Sequence, residues 1–143
     1  MTAEAAQAIR NAIADAQERE VFLIGHPDAD GVVVAVDVLA RGNATSVTAV
    51  TQFARFGDVA IHNHPSGVLE PSDADVTLAS LMALEGIATI IVNNDVTAVY
   101  VVVEPMQPPK RVPLDEQHVL SLLAADGAMA QTLNRYEDRK SVV

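Results

Sequence analysis

The chain has no cysteine and no tryptophan, only 3% of its residues are aromatic, and its 9 basic side chains face 19 acidic ones. Without cysteine there can be no disulfide framework and no thiolate metal site, and a reducing cytoplasm is the expected setting. With so few aromatics, the core must be built from Ala, Val, Ile and Leu, which is feasible because half of the 143 residues are apolar. That length suffices for one domain with a real core. A formal charge of −10 repels phosphate backbones, so direct nucleic-acid binding by this domain is not expected. Long hydrophobic runs are also missing. The apolar stretches at residues 31–40, 87–92 and 96–103 all fall well short of the roughly 20 residues that span a bilayer. Residues 2–20 are Ala-rich and acidic, without the basic start and apolar stretch of a signal peptide. The expectation is a cytoplasmic protein with no membrane association.

Hydrophobic spacing organises what is present. Residues 2–17 read as a helix, because Ala5, Ala8, Ile9, Ala12, Ile13 and Ala16 fall on one face. Residues 20–25 form a short apolar strand, residues 26–31 a dense turn, and residues 32–39 a β-branched strand, together a hairpin. Residues 45–51 are a third strand candidate, and residues 58–62 a fourth, very short one. Ser72 opens a second helix that runs to about Glu85, with Pro71 before it and Gly86 as its stop. Strands are expected over residues 87–92 and 96–103, around an Asn93-Asn94-Asp95 turn. Residues 105–113 hold four prolines and read as a linker, and residues 115–133 as a weaker helical appendage. The division is therefore residues 1–104 as one mixed α/β (α+β) domain and residues 105–143 as linker and appendage.

His62-Asn63-His64, then Ser72 and Asp75, is the one constellation that points to chemistry. Positions i and i+2 of a strand project to the same face, so His62 and His64 can share one ion. Asp75 falls in the first turn of the following helix, where a carboxylate is favoured and can supply a third ligand. Two imidazoles and a carboxylate suit a catalytic Zn²⁺ with one position left for water. Ser72-x-x-Asp75 also has an ordinary explanation as a helix capping pair, and both can hold together. His26 and His118 lack such companions and read as structural or exposed.

The longer string His62-Asn63-His64-Pro65-Ser66-Gly67, followed by Glu70-Pro71-Ser72-Asp73-Ala74-Asp75, resembles the JAB1/MPN/Mov34 metalloenzyme (JAMM) motif, and most closely its RadC branch. The resemblance extends over residues 16–103. It implies a JAMM/cytidine-deaminase-like fold, a mixed and largely antiparallel sheet flanked by helices. It implies Zn²⁺ on His62, His64 and Asp75. It also implies a glutamate at the start of the first strand, and Glu20 is the matching position, with Glu18 and Asp37 as rivals on residue type alone. In that scheme Glu20 handles the proton of the attacking water, Ser72 donates to the oxyanion, and the reaction is peptidase or isopeptidase hydrolysis of a peptide or modified protein. Relative to RadC proteins, residues 50–58 form a shorter segment, and residues 87–92 replace a stretch that usually includes Leu-Asp-His.

A second resemblance lies at the end. Residues 126–139, from Asp126-Gly127-Ala128-Met129 to Tyr136-Glu137-Asp138-Arg139, are similar to the segment ahead of the core of DinG-like DNA helicases. That resemblance implies an N-terminal domain of a larger DNA-repair helicase-like protein; the plain alternative is a mixed-charge tail. Two functions follow as expectations: a zinc metallohydrolase, or a non-catalytic zinc-containing interaction module of that helicase. A metal-dependent nuclease is disfavoured, because neither a carboxylate-rich hard-cation site nor a basic groove is present.

Overall fold

A computed structural model describes residues 1–42 and 45–105. Three helices and five strands alternate along it: α1 (Ala3–Asp15), β1 (Val21–Pro27), β2 (Val33–Arg41), α2 (Val47–Phe53), β3 (Val59–Asn63), α3 (Asp73–Ala83), β4 (Ala88–Val92) and β5 (Val99–Val103). The strands form one sheet in the order β2-β1-β3-β4-β5. β1 and β2 form the expected antiparallel hairpin, β4 and β5 a second, and β1 runs antiparallel to β3. Only β3 and β4 are parallel, joined by the α3 crossover. The result is the mixed α+β, mostly antiparallel sheet flanked by helices that the resemblance implied.

Apolar side chains cover both faces of this sheet, which is why the central strands read as continuous hydrophobic runs rather than alternating ones. On one face Ile9, Ala12 and Ile13 of α1 pack on Val21, Leu23, Val59, Ile61 and Ile90. On the other, Val50 of α2 and Met82 of α3 pack on Phe22, Ile24 and Ala60. Every residue of β3 and β4 is buried. Among the described residues no helix is long and apolar enough to cross a membrane.

Two strand expectations change. Residues 45–51 do not form a strand: Ser46 caps α2 by accepting from the Ala49 N–H at 3.1 Å, and Val50 is buried beneath the helix. Val47, Thr48, Val50 and Thr51 favour strands as single residues, but a cap and one buried valine decide the local structure here. The last strand begins at Val99 rather than Val96, because Asn93 accepts from the N–H groups of Thr97 and Ala98 and holds residues 93–98 as a turn. Val96 takes a left-handed backbone (φ 53°) and is buried in the core of the α1 face. The linker and helical appendage, apart from Pro105, lie outside the described residues, as do His118 and the segment similar to DinG-like helicases.

Candidate metal centre

The connectivity gathers the motif at one end of the sheet. β3 delivers His62 near its carboxyl end, and the parallel crossover brings the N-terminus of α3 back over that end, the usual place for a site beside parallel strands. Because β1 is antiparallel to β3, its beginning lies at the same end. Phe22 pairs with His62, and Glu20, just ahead of β1, lines the same cleft as His64.

The turn after β3 fixes His64. Gly67 donates its N–H to the His64 carbonyl at 2.8 Å, with Pro65 and Ser66 between them, and its φ of 79° is one that a side chain would strain. This turn presents the Val68 carbonyl to His64 Nδ1 at 2.8 Å. Nδ1 must therefore carry a proton, and Nε2 is the atom aimed into the site. There it lies 2.8 Å from Asp75 Oδ2.

Asp75 is held by a capping box. The Ser72 hydroxyl accepts from the Asp75 N–H at 3.1 Å, and Asp75 Oδ2 accepts from the Ser72 N–H at 2.9 Å. The capping explanation of this pair therefore holds, and Asp75 Oδ1 lies 3.3 Å from His62 Nε2. Burial alone would raise the Asp75 carboxyl, but contacts with Ser72, His62 and His64 outweigh it and hold the group below its ordinary value. It is a carboxylate at neutral pH.

His62 is only 1% exposed and stacks on Phe22 with ring centroids 5.2 Å apart. Burial, the largest influence, lowers its pKa despite the nearby Asp75. The ring is therefore neutral, the form that offers a lone pair. Both ring nitrogens are buried without a hydrogen-bond partner, and Nε2 sits 3.3 Å from Asp75 Oδ1 without hydrogen-bond geometry. A buried orphan nitrogen is costly, and a metal ion on Nε2 would lower that cost. One ligand atom from each of His62, His64 and Asp75 can be chosen so that all lie within 4.8 Å of one another. A neutral imidazole, a second with its far nitrogen tied to a carbonyl, and a carboxylate make a fitting donor set for a divalent ion.

Glu20, Ser72, His64 and Asp75 all line one open cleft of about 510 Å³, with Ser66, Val68 and Glu70 along its walls. Partial burial raises the Glu20 pKa, and repulsion from Asp75 raises it further against the pull of His64. The rivals lie elsewhere. Glu18 borders a separate pocket with Arg10 and Asp95, and Asp37 accepts from His26 at the opposite end of β1. His26 is half-buried between Asp37 and Asp58 and takes no part in the metal group.

One residue of this region had no signal in the sequence. Asn63, fully buried between the two histidines, bonds to the backbone on both sides of Glu20 and to Asn94. Its partners are 31 to 44 residues away, so no local pattern could announce it.

A helix-flanked, mostly antiparallel sheet, with a His-x-His turn and a helix-borne aspartate converging at one end as a group that could hold a metal ion, is the arrangement of a JAB-type domain. The family model of the RadC-like JAB domain matches residues 1–97, and the chain belongs to that family. Among curated proteins none matches the chain.

Proposed function

We propose that this domain is a zinc-dependent hydrolase of peptide or isopeptide bonds. The observation that carries the reading is the shared cleft: Glu20 and the helix-capping hydroxyl of Ser72 face the same space as His64 and Asp75, two members of the metal group. Zn²⁺ held by His62, His64 and Asp75 supplies Lewis-acid chemistry, polarising a carbonyl and lowering the pKa of water. Glu20 takes the proton of the attacking water and returns it to the leaving amine, a role its raised pKa favours over that of an ordinary exposed glutamate. The Ser72 oxygen already accepts from the Asp75 N–H, so its own proton is free to steady a developing oxyanion. The open cleft suits an extended chain segment more than a small enclosed metabolite. A cytoplasmic setting and attachment to a helicase-like region belong to this proposal and rest on the absence of cysteine and on the resemblance of residues 126–139.

The test is cleavage of a random-sequence peptide pool by the zinc-loaded chain, read by mass spectrometry, with Glu20→Gln as control. Loss of about 10²-fold or more in the variant, at unchanged zinc content, is expected. Zinc-loaded protein that cleaves neither this pool nor a ubiquitin-like isopeptide conjugate would favour the interaction module instead.

A further inference from the structure

We infer that Asn63 is the positioning residue for Glu20: its side-chain amide replaces the main-chain ladder where β1 and β3 part, and so fixes the proton-handling carboxylate against the metal ligands. The inference rests on the reading of Glu20 as that proton carrier. The paired residues of β1 and β3 end at Phe22 and His62. One step beyond, Asn63 Oδ1 accepts from the Val21 N–H at 2.7 Å, and Asn63 Nδ2 donates to the Arg19 carbonyl at 3.1 Å. Both bonds go to the residues flanking Glu20, so one side chain holds the peptide units on either side of it. Among the described residues Glu20 itself contributes only its carbonyl, which accepts from the Gly42 N–H at 2.7 Å, and its side chain lines the cleft.

The chemistry explains why this residue is an asparagine. The task needs a donor and an acceptor on separate atoms of one short, uncharged group, as in a peptide unit, and the Asn amide supplies both. Aspartate would keep the acceptor but leave the Arg19 carbonyl unmatched and bury a charge. The amide is itself oriented: Nδ2 donates a second bond to Asn94 Oδ1 at 2.9 Å, and Asn94 Nδ2 reaches the Pro65 carbonyl at 3.4 Å. Asn94 belongs to the turn in which buried Val96 holds a left-handed backbone, a conformation unfavourable for a β-branched side chain. The turn after β3 that carries His64, the start of β1 and the β4–β5 turn are thus joined through Asn63. His62 and His64 point to the opposite sheet face, so Asn63 can set the carboxylate without touching the ion.

A positioning role predicts a particular separation of effects in Asn63→Ala. The zinc-loaded variant should keep its zinc content, because no ligand is disturbed. For the peptide cleaved best from the pool, kcat should fall about 100-fold, the usual consequence of misplacing a reacting group by an ångström, with KM little changed. Amide exchange at Val21 should accelerate about tenfold or more, as expected when a buried donor loses its acceptor. Unchanged exchange at Val21, or zinc lost in step with activity, would overturn the assignment. Asn94→Ala serves if Asn63→Ala does not fold: it removes only the outer support, and a smaller rise in Val21 exchange with zinc retained is expected, whereas no change contradicts the network. A wild-type chain that cleaves nothing would count against Glu20 as a proton carrier, and the exchange arm would still decide whether Asn63 holds the segment around it.

Discussion

Ser72 places two demands on one hydroxyl. Its oxygen accepts from the Asp75 N–H and caps the start of α3, while its proton is available to the cleft. Variants can separate the two. Ser72→Ala should cost about 1 kcal/mol of stability through the lost cap and about 10² to 10³ in kcat through the lost oxyanion donor. Ser72→Asp should restore most of the stability, because Asp is a good N-cap, but not the rate, because a carboxylate has no proton to donate. Thermal unfolding and peptide turnover measured on both variants check this; an aspartate variant as active as wild type would remove the Ser72 hydroxyl from the chemistry. The remaining residues of the site differ in how far the sequence announces them. His62, His64, Ser72 and Asp75 are legible because their roles impose short spacings on a strand end and a helix start. Glu20 is legible only through resemblance, since a single glutamate between a helix and a strand has no local signature. Asn63 stands inside the most recognisable string of the chain, yet its purpose becomes visible only when β1 lies beside β3.

At the scale of elements, capping and stop signals locate α3, and strand propensity, which finds the five strands of the described residues, misleads at residues 45–51. α3 begins at its Ser72 cap and gives way at Gly86, whose φ of 74° and close contact with the Phe56 ring exclude a side chain. α2 was misread because its β-branched residues favour strands, while the burial of Val50 that stabilises the helix comes from distant packing. The opposite end of β1 offers a separate test. His26 joins β1 to Asp37 of β2 at 2.7 Å and to Asp58, just before β3, at 3.1 Å. Asp58 also accepts from the Arg55 N–H, which ties in the loop after α2. Burial pulls the His26 pKa down, but hydrogen bonds and attraction from Asp37 and Asp58 outweigh it, and the net shift is upward from 6.5. A histidine with a raised folded-state pKa stabilises fully below its unfolded value and loses that contribution as pH climbs through the folded value. The melting-temperature gap between wild type and His26→Asn should therefore be widest below the ordinary histidine value of 6.5 and narrow as the pH rises above it. A gap that stays constant across that range would show that protonation of His26 contributes nothing.

For the whole molecule, the sheet acts as a frame on which three sequence-distant pieces meet: the start of β1, the end of β3 with its turn, and the first turn of α3. Each contributes one part of the site, and the two apolar layers hold the parts in place. Ligands drawn from β3, its turn and α3 would also couple the binding of an ion to folding, because the unfolded chain has no such arrangement. The net charge of −10 favours cation uptake in general, so charge alone cannot mark the site and selective loss by a ligand variant is the informative observation. The central claim is that His62, His64 and Asp75 form one metal centre, and the most direct test is elemental analysis of the protein purified without added metal and after zinc loading with excess ion removed. About one zinc per chain, abolished by His62→Ala in a variant that remains folded, is the expected result. A folded wild-type chain that retains no zinc, or a His62→Ala variant that binds it as well as wild type, would contradict the account.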